Sequence, residues 1–303
     1  MLARIQFVWQ TTLMAFLFTT LAMTVVAEPA RADDSVNNPW VVMELPTKGS
    51  RARILHRPER PFVNSRPTFV ITHGLGGTEA GDRFHQLADA ICEAIPGSNV
   101  LMVDWSQDSI RKTQMLSLPV PWTVAWNIDP VAKEAIGLLN ALQVDPAQTT
   151  FIGESFGNCV NARIAERLGR QGKILAFNPA NPAGGYATPN LRLCAEMSWS
   201  FHTYSVFDSL DPIAHAEVFL ETPANTPDTD QHTAGVAWLA ARVQSGNLQW
   251  LLAEHRLPAS NADYFEATAT LSGTLSEQRM PRKRPDRSEN KERQTGQVAA
   301  VLP

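Results

Sequence analysis

The sequence predicts an α/β fold in which a mainly parallel sheet carries helices on both faces. Short β-branched runs alternate with amphipathic segments through most of the chain, the pattern of strands joined by crossover helices. Runs such as "TFVITH" and "SNVLMVDW" are apolar at successive positions, as strands covered on both sides must be. A length of 303 residues, 44% hydrophobic and 18% charged, suffices for one sizeable core.

The first 32 residues read as an export signal. Arg4 supplies a positive n-region, "LMAFLFTTLAMTVVA" (Leu13 to Ala27) the apolar h-region and "ARA" (Ala30 to Ala32) the cleavage site. The mature chain is expected to begin near Asp33 and the protein to be secreted or periplasmic. The alternative is an uncleaved anchor, against which the apolar run counts, being shorter than the ~20 residues that span a bilayer. A folded domain is then expected over residues 33–258. "TFVITH" (Thr68 to His73) is its first buried strand, and "DRFHQLADAICEAI" a helix with Phe84, Leu87, Ile91 and Ile95 on one face. "SNVLMVDW" follows as a strand. "DPVAKEAIGLLNALQVDP" reads as a helix capped by Asp129, with Pro130 in its first turn and Val131, Ala135, Leu138, Leu139 and Leu142 striping one side. Next come "TTFIGES" (strand), "FGNCVNARIAERLGR" (helix), "KILAFNP" (strand), the strand signals "SFHTYSVF" and "AEVFLE", and a last helix, "TAGVAWLAARVQSGNLQWLLAEH". From 259 to 303 the pattern fades into a densely charged tail, "SEQRMPRKRPDRSENKERQTGQ" included, expected to be disordered. Its "RKR" run reads as a solvated segment before it reads as a tether to an acidic surface, because Asp286, Glu289 and Glu292 interrupt the positive charge.

The formal charge of −4 and a pI near 6.0 give no reason to expect a nucleic-acid partner. Cys92, Cys159 and Cys194 make at most one disulfide and leave an odd thiol. No His/Cys cluster has zinc spacing, so no metal is expected, and no cofactor.

The chemistry concentrates in "TTFIGESFGNCVNARIAERLG" (Thr149 to Gly169), where Ser155 sits between Gly153 and Gly157 at the change from strand to helix. A strand-to-helix elbow projects such a hydroxyl above the sheet and aims the helix N-terminus at whatever it attacks, which makes Ser155 a candidate nucleophile. Acyl chemistry also needs two donors for the oxyanion. The N–H of Phe156 is one; "FVITHGLGG" ends an earlier strand with glycines that keep the backbone accessible and offers Leu75 as the other. No Lys-Ser/Thr follows to make "HGLGG" a phosphate loop.

The blocks "FVITHGLGG", "VLMVDWS", "AWNIDPVAKEAIGLLNAL", "FIGESFGNCVNARIAERLG" and "ILAFNPANPAG" resemble, in order, the signature blocks of the pancreatic-lipase-like family of α/β hydrolases, over roughly Pro67 to Val243. That family holds triglyceride lipases, phospholipases A1 and non-catalytic yolk proteins. The resemblance implies an α/β-hydrolase fold and a Ser-His-acid hydrolase in which Ser155 attacks a carboxylic ester and Leu75 and Phe156 bind the oxyanion. No counterpart of the lipid-binding β-sandwich of the vertebrate lipases is expected, since the charged tail follows the domain instead. Among the late histidines, His202 lies in a strand signal, His215 precedes "AEVFLE" and His255 lies near the end of a long helix; His232, in the loop stretch "DTDQH" before a helix, stands where the family has its catalytic base. The acid departs from the pattern. Where these lipases have an aspartate after the strand that follows the nucleophile helix, this chain has Asn178, which cannot stabilise imidazolium by charge. Either catalysis has been lost, as in the yolk proteins, or the acid comes from the next strand, where "SVFDSLDPI" offers Asp208 first and Asp211 second.

The lid of these lipases is reduced here to the short, proline-punctuated "LETPANTPDTDQH", with no amphipathic helix to recognise an oil surface. The stretch "QMLSLPVPWTVAW" (Gln114 to Trp126) would line an acyl pocket, touch lipid or serve as a buried connection. The expected function is an exported serine esterase acting on lipid, phospholipid or small esters, with peripheral membrane contact. Its rival is a non-catalytic lipid- or partner-binding protein on the same fold.

Overall fold

The apolar runs form strands that share one sheet. These are β1 (Val41–Val42), β2 (Arg53–His56), β3 (Thr68–Thr72), β4 (Asn99–Asp104), β5 (Thr149–Glu154), β6 (Gln171–Phe177), β7 (Ala195–His202), β8 (Ala216–Glu221), β9 (Phe265–Thr270) and β10 (Leu275–Ser276). The order across the sheet is β1-β2-β4-β3-β5-β6-β7-β8-β9-β10. Every pair from β4 through β9 is parallel, whereas β1 with β2, β2 with β4 and β9 with β10 are antiparallel. The computed structural model describes residues 39–46, 51–75, 82–110, 120–169, 171–180, 190–203, 213–221, 228–246, 265–270 and 275–276. The export signal, Asp208, Asp211, His255 and the charged run after 276 lie outside the described residues.

Successive side chains of each central strand enter opposite layers, as the period of two requires. On one side Ile54, Val70, Leu101, Val103, Phe151, Ile174 and Ala176 meet helices α3 (Val120–Ala141) and α4 (Phe156–Leu168). On the other, Leu55, Phe69, Ile71, Met102, Ile152, Leu175 and Phe177 meet α1 (Asp82–Ala94) and α6 (Asp228–Gln244). Two short helices, α2 (Ser106–Ile110) and α5 (Leu191–Cys194), complete the described set. Both faces are therefore covered, and the α/β-hydrolase fold expected from the sequence is the fold observed. Every residue of β3, β4 and β5 is buried, which explains why their sequences do not alternate.

Register brings the carboxyl ends of the strands together. Thr72 of β3 pairs with Gly153 of β5, Glu154 with Phe177 of β6, and Phe177 with Phe201 of β7, so the chain leaves these strands side by side at His73, Ser155, Asn178 and Thr203. After β3 the chain goes to β4 on one side and then crosses to β5 on the other. The order thus reverses around β3, and the crevice outside the carboxyl ends at such a switch point is where open α/β sheets bind ligands.

Several boundaries differ from the sequence reading. Helix α3 begins at Val120, so Asp129 is not its cap and Pro130 lies within it. The carbonyl that Pro130 cannot serve belongs to Trp126, an exposed residue, where water can take the place of the missing donor. Asp129 instead faces Arg163 and Arg167 of α4. Strand β7 starts at Ala195 rather than Ser200, its polar residues having disguised a strand that docks on β6. Helix α6 starts at Asp228, five residues before the expected onset: Asp228, Thr229 and Asp230 read as loop because they suit a helix N-terminus, and they occupy its first turn. Finally, the tail expected from 259 contributes β9 and β10. "FEATAT" alternates with period two, and β9 extends the parallel sheet beyond β8.

Candidate active site

Ser155 caps α4 with φ 53° and ψ −122°, a conformation that ordinary side chains avoid. Such strain costs on the order of 1–3 kcal/mol and persists only where surrounding structure over-determines it. Here three backbone bonds do so: Ser155 N–H donates to Phe177 O (2.9 Å), while Ser155 O accepts from Asn158 N–H (3.2 Å) and Ala180 N–H (3.4 Å). Its hydroxyl makes no capping bond to the helix. Neither flanking glycine has a positive φ, so the strain sits on the serine itself. Gly157 is required for proximity instead: a Cβ there would lie 2.6 Å from His73 O and closer still to Thr72 O, both backbone atoms. Only glycine lets the first turn of α4 lie against the end of β3.

The same contact brings in the loop after β3. A Cβ on Gly74 would fall 2.8 Å from Ser155 Cβ and 3.0 Å from Glu154 O. Leu75 follows in a turn, 39% exposed, and Phe156, the first residue of α4, buries its ring while its N–H belongs to the first helical turn, where no intrahelical acceptor exists. The two expected oxyanion residues thus flank the elbow. His73 props the loop from behind. Its Nδ1 pairs with Gly74 O (2.8 Å), its Nε2 accepts from Trp105 N–H (3.2 Å), and Trp105 Nε1–H donates to His73 O (2.8 Å). Beneath it, burial pushes the Asp104 carboxyl up, but the backbone N–H and hydroxyl of Ser106 and the Arg53 guanidinium outweigh burial and hold it well below the usual carboxylate range.

Of the four candidate bases, three are described. His202 Nε2 lies 2.6 Å from Glu217 Oε2 in a wholly buried pair, and Glu217 Oε1 accepts from Ile213 and Ala214 N–H (2.8 Å each), so this histidine ties β7 to β8. His215 Nδ1 meets Ser198 N–H (3.1 Å) and the Ser198 hydroxyl (2.8 Å), well back along β7 from its carboxyl end. His232 is the one at the elbow. It stands inside α6 rather than in a loop, and its Nε2 is 3.1 Å from Glu154 Oε1. Glu154 Oε2 in turn accepts from Gly74 N–H (3.0 Å). One buried carboxylate, next in the chain to Ser155, therefore touches both the loop of Leu75 and the imidazole.

Asn178, at the position of the lipase acid, does not serve the imidazole in that way. Its Oδ1 accepts from Thr203 N–H (2.8 Å) and Thr203 Oγ1–H (3.0 Å), and its Nδ2 donates to the backbone carbonyl of His232. It is completely buried and holds φ 42°, a value asparagine tolerates better than most residues. Asn178 thus joins the ends of β6 and β7 to the backbone of α6. The segment that carries Asp208 and Asp211 starts from Thr203 and lies outside the described residues.

Glu154 is the residue that the sequence reading passed over. Its signal was an acid closing a strand that is otherwise apolar or small, "TTFIGE", since a carboxylate buried there must find a partner. The three cysteines are all buried free thiols. Burial pushes Cys194 up to about 11 and raises Cys92 as well. Among the described residues no His, Cys, Asp and Glu cluster could hold a metal ion, and no helix is long and apolar enough to cross a membrane.

No family model and no curated protein matches the chain. Solved structures do. A lidless α/β serine hydrolase from Xanthomonas campestris is 16% identical, with a TM-score of 0.43 over 74% of this chain and 98% of that one. Est1E from Butyrivibrio proteoclasticus is 13% identical (TM-score 0.41, 71% and 99% covered). A dienelactone hydrolase from Anabaena variabilis is 12% identical (TM-score 0.37, 68% and 80% covered). None of the three is described as a pancreatic-type lipase. At these values the strand order, rather than the neighbours, carries the fold.

Proposed function

We propose that this chain is a serine hydrolase that cleaves carboxylic esters, with lipid or phospholipid acyl esters as its substrate class and an acyl-enzyme as intermediate. The observation that carries the reading is Ser155, held at φ 53° at the switch point of the sheet, with the loop of Gly74 and Leu75 on one side and His232 reached through Glu154 on the other. In the first half-reaction Ser155 Oγ bonds to the ester carbonyl carbon and gives its proton to His232. The oxyanion lies between the N–H groups of Phe156 and Leu75, and the alcohol leaves with the proton from His232. Water then takes the place of serine and releases the acid. The imidazolium needs a carboxylate. Asp208 or Asp211 is one source and Glu154 the other.

Export, read from the first 32 residues, and a kinship with the pancreatic-type lipases, read from the sequence blocks, belong to this proposal. The exposed indole of Trp126 is a further point in favour of an apolar ligand or surface. The test is a fluorophosphonate probe with p-nitrophenyl butyrate hydrolysis. Wild type should label and hydrolyse; Ser155→Ala should do neither and should keep its melting temperature nearly unchanged. Absence of both in folded wild type would favour the non-catalytic binding protein, and labelling that persists in Ser155→Ala would remove Ser155 as the nucleophile.

A further inference from the structure

We infer that Glu154 is the carboxylate that orients and charges the catalytic imidazole; this rests on the reading of Ser155 and His232 as nucleophile and base. A carboxylate only accepts hydrogen bonds. With Oε1 3.1 Å from His232 Nε2, the neutral ring carries its proton on Nε2 and its lone pair on Nδ1. Nδ1, shielded from solvent and making no hydrogen bond among the described residues of the free protein, is then the nitrogen left to take the proton from Ser155 once substrate is bound. When it does, the imidazolium forms against an anion already in place.

The carboxylate is itself held. Glu154 is 4% exposed, it closes β5, and Gly74 N–H fixes its second oxygen at 3.0 Å. A side chain that donates and accepts cannot replace it. Glutamine has one acceptor oxygen for two donors, so an amide that keeps Gly74 turns its NH2 toward His232. Nε2 must then lose its proton and Nδ1 gain one, which removes the base from the serine. Among the described residues, the other histidines on elements packed around this pair are engaged elsewhere: His73 beyond β3 with Gly74 O and Trp105, and His202 on β7 with Glu217. Asp228 and Asp230 lie on the first turn of α6. Asn178, at the lipase acid position, holds the backbone of His232 and brings no charge to its ring. Glu154 is thus a positioning residue, acting on the ester only through His232.

The experiment combines imidazole 15N NMR of the full mature chain at neutral pH with pH profiles of kcat/KM for wild type, Glu154→Gln, Asp208→Asn and Asp211→Asn. Wild-type His232 should show a protonated Nε2 and a pyridine-type Nδ1. Glu154→Gln should reverse the tautomer, lower kcat/KM by roughly 10²–10⁴, and move the acidic limb down by at least one pH unit. Both aspartate variants should keep the tautomer and the limb. A wild-type tautomer with the proton on Nδ1, or a limb that moves in Asp208→Asn or Asp211→Asn while that of Glu154→Gln stays, would overturn the assignment. The wild-type tautomer needs neither a soluble variant nor activity, so it separates failure of this inference from failure of the hydrolase reading, which the Ser155 probe reports.

Discussion

Restoring the lipase acid by Asn178→Asp is expected to weaken this protein rather than revive an ancestral site. The asparagine amide is used at both ends. Oδ1 takes two donors from Thr203, which an aspartate would still accept, but Nδ2 donates to the His232 carbonyl, and a carboxylate would set an anion against that oxygen. The position is wholly buried and none of its bonded partners is a cation. The substituted carboxyl must therefore stay protonated to remain folded in place, which raises its folded pKa above the unfolded value of about 3.9. Each unit of that rise is worth about 1.4 kcal/mol, and a buried group with no cation rises by at least two or three, so the variant should lose roughly 3–4 kcal/mol by pH 8. The sign follows from the raised value. At pH 4 and below the protonated side chain donates to His232 O as the amide did and stability matches wild type; stability then falls as pH climbs to the folded pKa. Against a total of about 5–15 kcal/mol the protein stays folded but marginal. Urea unfolding at pH 5 and pH 8, with p-nitrophenyl butyrate hydrolysis alongside, reads both consequences. Equal stability at the two pH values, together with a tenfold or greater rise in activity, would show that residue 178 is a vacated acid position and refute the structural role of its amide.

Two further outcomes follow from the same geometry. Gly157→Ala places a Cβ 2.6 Å from His73 O and nearer to Thr72 O, so the first turn of α4 must retreat by about an ångström from its packed position; displacement on that scale should cost about 10²-fold in kcat and about 1–3 kcal/mol in stability from overpacking, measured by steady-state kinetics and denaturation. The buried thiols of Cys92, Cys159 and Cys194, two of them with raised pKa, should resist Ellman's reagent at pH 8 and all three should react in denaturant; rapid reaction of the native protein would contradict their burial.

Much of the fold was legible because it depends on local, periodic properties. The apolar centres of β3 and β4, the stripe of Val131, Ala135, Leu138 and Leu139 on α3, and the small residues flanking Ser155 each declare an element within a few positions of themselves. Element ends were less legible because tertiary contacts outvote local signals. Pro130 looked like a helix start but lies inside α3, one turn after the exposed residue Trp126, and Asp228 to Asp230 looked like loop until α6 packed beside α1. The strand "FEATAT" was lost in the composition of the charged region around it and became visible only when paired with β8.

At the site, the nucleophile candidate and the two donor loops were legible because an elbow and a glycine-rich turn are short-range features, whereas His232 was singled out by the family resemblance. What each polar side chain faces came only with the tertiary fold. Glu154 was no more than the variable residue of a pentapeptide until the reversal of strand order set β3 beside β5 and α6 came down over β6. That arrangement put Gly74 N–H on one oxygen and His232 on the other. Asn178 looked like a missing acid for the same reason: a sequence shows which group a residue carries, but the donors and acceptors around it belong to Thr203 and His232, which only folding brings within hydrogen-bond distance.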